Sequence, residues 1–332
     1  MSEGSDYSAG AWEGHSFQAA EQAYNQRQHD PTAGRGSRSQ SQGTSTASSN
    51  VPKSITTHTT HPLLIQLDVT GSMQGWPGKI VGKFPYLDHE MRTEYLDEGA
   101  EVSFAAISDT ADSYPFQVRP FSRSTAMKDE LSALVLTDGG NGPGSMCEAY
   151  GIAALHALHN IHMPDAVIKP VYIVIGDEMP YDLITRDEAA EFAKVKLESS
   201  RVSAHSLISK ELIKKFAVYL ILKPYGNETM AGDRMGSVTQ MVYDCWSKLI
   251  GPERIALLPD HGRVVDTIFG ILAQESGKVD YFRKEIEGRQ RPDQVRTVYT
   301  ALETIHTGKT QHRGGHSTFH KGSGGRDSGS LL

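Results

Sequence analysis

Three oxygen-bearing side chains alternate in Asp68-Val69-Thr70-Gly71-Ser72, directly after the apolar run Leu63-Leu64-Ile65-Gln66-Leu67. A second acid, Asp177, closes another apolar run, Lys169 to Glu178 (KPVYIVIGDE). Carboxylates and hydroxyls are hard oxygen donors, and the set contains no thiolate or imidazole. Such donors suit Mg²⁺, with Mn²⁺ or Ca²⁺ as substitutes, far better than zinc or copper. The same residue types also build an Asx turn or a hydroxyl-capped helix start, which needs no metal.

The elements that must position these residues follow from hydrophobic spacing. The run Leu63 to Leu67, ending on Asp68, is short and aliphatic enough for a strand buried on both faces. Lys79 to Leu96 has helical spacing of Ile80, Phe84, Leu87, Met91 and Tyr95, with Pro85 splitting or kinking it. Glu101 to Ser108 reads as a second strand, and Pro115 to Phe121 as a short antiparallel edge strand flanked by prolines. Further helices are expected at Thr125 to Val135 (Ser122 and Ser124 as caps), Met146 to Ile161, Asp187 to Glu198, Ser209 to Lys215, Ser237 to Ile250 and Arg263 to Gln274. Phe216 to Leu222 and Arg254 to Leu258 complete the strands. Strands alternating with helices predict a doubly wound, mostly parallel α/β sheet with helices on both faces. Open sheets of that kind place ligands at the strand ends, where Asp68 and Asp177 stand.

Asp68-Val69-Thr70-Gly71-Ser72 resembles the D-x-[ST]-x-S signature of the von Willebrand factor type A (vWA) domain, the core of a metal-ion-dependent adhesion site. Asp177 matches that family's strand-end acid. The glycine-rich loop Thr137 to Gly144 (TDGGNGPG), ending at Ser145 before a helix, resembles its middle motif. The order of the three motifs also agrees, and the resemblance covers residues 58 to 275. It implies a Rossmann-like fold with Mg²⁺ held by Asp68, Thr70, Ser72, Ser145 and Asp177. The family's loop threonine has no unambiguous counterpart: Ser145 keeps a hydroxyl before the helix, Asn141 is the reserve and Thr137 a poorer choice. The resemblance implies a non-catalytic module that binds a partner's Asp or Glu through the metal, with an AAA+ ATPase among the partner classes. A Mg²⁺-dependent hydrolase or phosphotransferase, with Asp68 and Asp177 holding the metal and Asp109 or Glu178 as base, is the alternative.

Composition sets the frame for these motifs. The chain has 332 residues, 38% of them hydrophobic, and a formal charge of −7; its mean hydropathy is −0.40. The acidic balance argues against nucleic-acid binding by the core. No apolar run reaches the ~20 residues that span a bilayer, and the polar start MSEGSDYSAG lacks a signal-like apolar stretch, so a cytoplasmic location is expected. Cys147 and Cys245, both expected in helices, form no ligand pattern. Residues 1–57 read as a disordered Ser/Gln/Gly-rich segment, 58–276 as the α/β domain, 277–306 as a helical extension and 307–332 as a disordered Gly/His-rich tail. His156, His159 and His162 recur near a helix end, where a charged imidazole would favour the dipole. His312, His316 and His320 read as solvated tail. No HExxH, GxSxG or Walker motif is present.

Overall fold

The computed structural model describes residues 51–73, 75–136, 146–226, 228 and 234–305. Its centre is a six-stranded sheet built from β1 (Pro62–Asp68), β2 (Glu101–Ile107), β3 (Phe116–Val118), β4 (Val171–Gly176), β5 (Ala217–Leu222) and β6 (Ile255–Leu257). The strand order is β6-β5-β4-β1-β2-β3, parallel throughout except for the antiparallel edge strand β3. The helices that matter below are α1 (Trp76–Val81), α2 (Pro85–Glu90), α3 (Thr125–Ser132), α4 (Tyr150–Asn160), α5 (Arg186–Glu191), α6 (Ser237–Ile250), α7 (Val264–Ser276), α8 (Val279–Arg289) and α9 (Pro292–Leu302).

Continuous apolar runs make β1, β4 and β5 because each strand is buried on both faces. Alternate residues part into two cores. Leu63, Ile65, Leu67, Ile173 and Tyr219 join α1, α2 and α7 to α9 on one face. Leu64, Tyr172, Val174, Val218 and Leu220 pack with α4, α6 and the helical stretch containing Leu207 and Leu212 on the other. The sheet is therefore covered on both sides.

Several boundaries depart from expectation for identifiable reasons. The predicted helix over 79–96 starts at Trp76 and breaks before Pro85, which opens α2; the chain then widens into a π-helical turn, Met91–Tyr95. Ser124 does not cap α3 with its side chain; its backbone is at positive φ and its N–H donates to Asp88 Oδ1. α5 ends at Glu191 rather than continuing to 198, and Lys194 turns the chain at positive φ. Residues 146–149 are not helical: Cys147–Glu148 pairs in parallel with Met179–Pro180, so Cys147 lies outside any helix. Val51 to Thr57, expected within the disordered start, is packed onto the domain through buried Val51 and Ile55, with Ile55 pairing Ile161. The remaining expectation for 1–50, and that for 307–332, lie outside the described residues.

The stretch after Gly277 packs on the domain. Phe282 and Ile286 of α8, and Val298 and Leu302 of α9, are buried in the same core as the sheet. α9 crosses α7 at Gly270, where a Cβ would come within 2.1 Å of Leu302 Cδ1. Replacing Leu302 with Ala removes a fully buried side chain at this contact. The expected cost is roughly 2–5 kcal/mol in a denaturant melt of the full chain. An unchanged midpoint would mean that α9 does not share the core.

Candidate functional site

The strand order reverses between β1 and β4. From β1 the chain continues to β2 and β3 on one side, whereas β5 and β6 follow β4 on the other. Connections leaving the ends of β1 and β4 diverge there and open a crevice. Asp68 is the last residue of β1 and Asp177 follows Gly176, the last of β4, so the parallel pairing Leu67↔Ile175 brings Asp68 level with Gly176, one residue short of Asp177. Both are fully buried, at 0% exposure.

A continuous chain of oxygens links them. Asp68 Oδ1 accepts the Thr70 hydroxyl at 2.6 Å and the Thr70 N–H at 2.9 Å. Thr70 Oγ1 lies 3.0 Å from Ser72 Oγ, and the Ser72 hydroxyl donates to Asp177 Oδ1 at 2.8 Å. A short 3₁₀ turn, Gly71–Met73, brings Ser72 back toward the strand ends, with Met73 N–H bonded to Thr70 O at 3.2 Å. Thus four of the five expected ligands, Asp68, Thr70, Ser72 and Asp177, converge. Ser145, Asn141 and Thr137 lie outside the described residues.

Each aspartate has its other oxygen tied to the scaffold. Tyr150, at the start of α4, donates its hydroxyl to Asp68 Oδ2 at 2.6 Å. Lys223, directly after β5, donates to Asp177 Oδ2 at 2.9 Å. Gly176 makes the first of these possible, since a Cβ there would meet the Tyr150 hydroxyl at 2.0 Å. Neither Tyr150 nor Lys223 belongs to a motif of the sequence. For Lys223 a signal existed: a cation ending the apolar run FAVYLIL (Phe216 to Leu222), much as Asp68 and Asp177 end theirs.

The electrostatics are those of crowded, dry carboxylates. Burial, then the charge of Asp177, pushes Asp68 up to about 8. Burial also raises Asp177, against the lowering effect of Lys223. Two further acids stand nearby. Glu148 is pushed up to about 12 by burial, then by Asp68 and by a hydrogen bond to Glu178, which makes it the carboxylic acid of that pair. Burial raises Glu178 as well, and the Trp246 indole N–H fixes its carbonyl at 2.9 Å. Asp109, the other candidate base of the alternative reading, is buried and accepts the Tyr181 hydroxyl at 2.6 Å. His156 is buried too, pushed down to about 4 chiefly by desolvation, so it is no dipole-favouring cation. Its Nε2 lies 2.9 Å from Pro52 O, tying down the packed segment that begins at Val51.

Among the described residues, no group of three or more His, Cys, Asp or Glu side chains is arranged to hold a metal ion. The converging set is of another kind, two carboxylates and two hydroxyls. Their 2.6, 3.0 and 2.8 Å contacts are ordinary O–H···O hydrogen bonds. Hard oxygen donors of this kind are chemically suited to a small divalent cation.

In a metal-free sample the raised acids predict a pH trend. Between the ordinary aspartate value of 3.8 and about 8, folded Asp68 holds a proton that the unfolded chain has released. Stability therefore falls as pH rises through this window. Thermal melts in EDTA should show a midpoint falling from pH 5 to pH 8, and a shallower fall in Asp68→Asn, which has no proton to lose there. Parallel profiles would mean that Asp68 is already ionised when folded. A companion substitution, Gly176→Ala, displaces the Tyr150 hydroxyl and should lower the midpoint; an unchanged midpoint would show that Tyr150 shifts without loss.

No family model and no curated protein matches this chain. Solved structures give remote similarities. The pilus adhesin SpaC from Lactobacillus rhamnosus GG, in its open conformation, aligns at 10% identity and a TM-score of 0.43 over 68% of this chain and 30% of its own. Proximal thread matrix protein 1 from the mussel byssus aligns at 10% identity and a TM-score of 0.40 over 65% of this chain and 48% of its own. This chain thus spans about a third of the adhesin and about half of the matrix protein. Likenesses this remote do not say what it binds. Among the described residues, no helix is long and apolar enough to cross a membrane.

Proposed function

We propose that the chain is a non-catalytic, divalent-cation-dependent protein-interaction module of the vWA type, acting inside the cell. The observation that carries the reading is the unbroken oxygen chain Asp68–Thr70–Ser72–Asp177 at the point where the strand order reverses. The strand order itself, with one antiparallel edge strand, supports a doubly wound arrangement of that type. In this reading Ser72 and Thr70 would hold the metal as neutral ligands, together with the hydroxyl of Ser145 or the amide of Asn141, while Asp68 and Asp177 would hold its waters. Mg²⁺ bound among mostly neutral ligands supplies an electron-poor open position that a partner's Asp or Glu fills.

The chain's own residues do the rest of the work. Asp68 and Asp177 hold one oxygen each toward the hydroxyls, because Tyr150 and Lys223 occupy the other. Turnover of a covalent bond is not required; recognition consists of presenting a fixed oxygen shell. The resemblance brings AAA+ ATPases forward as a partner class, and the formal net charge of −7 does not invite nucleic acid.

Calorimetric titration of the full chain with Mg²⁺ tests this reading. Wild type should take up one ion, with at least tenfold weaker binding in Ser72→Ala and in Asp68→Asn. Retention of a partner from lysate should then require Mg²⁺ and fail in both variants. No heat and no thermal shift at millimolar Mg²⁺ would overturn the reading.

A second reading, a Mg²⁺-dependent hydrolase or phosphotransferase, is favoured by one observation. Glu148 is kept as a carboxylic acid beside the site, the form a general acid needs. Turnover of a phosphate-ester panel that disappears in Asp68→Asn would establish it, and absence of turnover would discard it.

A further inference from the structure

Lys223 is the residue whose position the proposed ligand set leaves unexplained. It is 3% exposed, in a residue type that is almost never buried without partners. Its Nζ lies 2.9 Å from Asp177 Oδ2, 3.0 Å from Ser72 O, 2.8 Å from Pro224 O and 3.2 Å from Gly226 O. An ammonium has three N–H donors, so four acceptors saturate it. Those acceptors come from three separate segments: the turn after β1, the end of β4 and the turn after β5. One carboxylate oxygen and three carbonyls around a point charge form the kind of shell that a small cation would otherwise fill.

We propose that Lys223 is a positioning residue that acts as a built-in cation, holding the strand-end turns in their assembled geometry when no divalent ion is bound. It grips Ser72 from both ends. The Ser72 carbonyl binds Nζ directly, and the Ser72 hydroxyl binds the free oxygen of the aspartate that Nζ anchors. The Gly226 N–H adds a longer bond to the same Asp177 oxygen at 3.4 Å, so the turn after β5 closes on it too. A compact ammonium on a flexible stem suits this crowded place, whereas a planar guanidinium does not.

A consequence for recognition follows, and it rests on the cation-site reading above. With both aspartates ionised, the two carboxylates and Lys223 together carry one net negative charge in place of two. A divalent ion entering this shell then leaves it with an excess of one positive charge. The shell is completed by an anionic group, which selects a partner carboxylate over a carbonyl or a second water.

The test is thermal unfolding of the full chain in EDTA and in millimolar Mg²⁺, comparing wild type, Lys223→Met and Asp177→Asn/Lys223→Met. In EDTA, Lys223→Met should lower the midpoint by roughly 6–15 °C, because it leaves Asp177 buried without its counter-charge. The double variant, which removes both charges, should recover at least half of that loss. Mg²⁺ should raise Lys223→Met by more than it raises wild type, since the ion then supplies the missing positive charge. An EDTA midpoint equal to wild type, or a Mg²⁺ stabilisation that is present and equal in the two proteins, overturns the proposal. If Mg²⁺ shifts no protein while the EDTA loss and its recovery stand, the cation-site reading fails and the structural hold by Lys223 is upheld. Should Lys223→Met not fold, amide hydrogen exchange on wild type decides. The amide protons of Thr70, Met73 and Gly226 should be protected in EDTA, and protection that appears only with Mg²⁺ overturns the proposal.

Discussion

Two carboxylates buried side by side at the ends of adjacent strands are the constraint to which the surrounding structure answers. A lone ionised carboxylate in a dry interior costs several kcal/mol, and two together add their repulsion. Nearly every neighbour of Asp68 and Asp177 reduces that cost. Thr70 and Ser72 donate to the inner oxygens, while Tyr150 and Lys223 donate to the outer ones. The remaining strain shows in the upward shift of both acids. A positive charge relieves such tension, as Lys223 does at Asp177.

Strand register is what makes the constraint unavoidable. In a parallel pair buried on both faces, a slip of one residue would exchange every side chain between the two cores. The pairings Leu63↔Val171 and Leu67↔Ile175 hold β1 and β4 fixed, and the acids follow from there. The same register sets Gly176 beside Asp68, with a virtual Cβ only 3.2 Å from Asp68 Cβ. A side chain at 176 would take the space through which Tyr150 reaches its acceptor. One missing methyl in β4 thus links the helix on one face to the carboxylate of the neighbouring strand.

Much of this frame was legible in the sequence because it rests on apolar runs. The runs ending at Asp68, Asp177 and Lys223 mark the three central strands within a residue or two, and Ser237 to Ile250 is a helix with the expected bounds. Pro85 and Pro292 mark helix starts, as their fixed φ and missing N–H require. What stayed hidden depends on contacts between distant segments. Tyr150 reads as one more apolar residue of a helix until Gly176 is seen to admit its hydroxyl. Cys147 and Glu148 carry no strand pattern of their own; their pairing with Met179 and Pro180 makes them one. Helix propensity over 192–198 was overridden by a turn through Lys194 at positive φ. His156 shows the same limit, since three histidines at helical spacing look alike while only one of them is drawn into the core by Pro52.

The placement of the described chain ends bears on how such a site could be used. All strands of the central sheet but β3 run in one direction, so the strand starts form one edge of that sheet and the candidate site the other. Ile55 and Thr56 pair with Ile161 and His162 beyond the last turn of α4, whereas Tyr150, at its first turn, touches Asp68. The Thr59 hydroxyl reaches Gly99 O just ahead of β2. At the other end, the Thr304 hydroxyl bonds Ile255 O, where β6 begins. Both ends of the described core are therefore fastened at the edge of strand starts, away from Asp68 and Asp177. Extra mass attached there would not stand between the site and a partner. For the proposed interaction module this polarity matters, because contact at the oxygen shell would leave the edge of strand starts undisturbed.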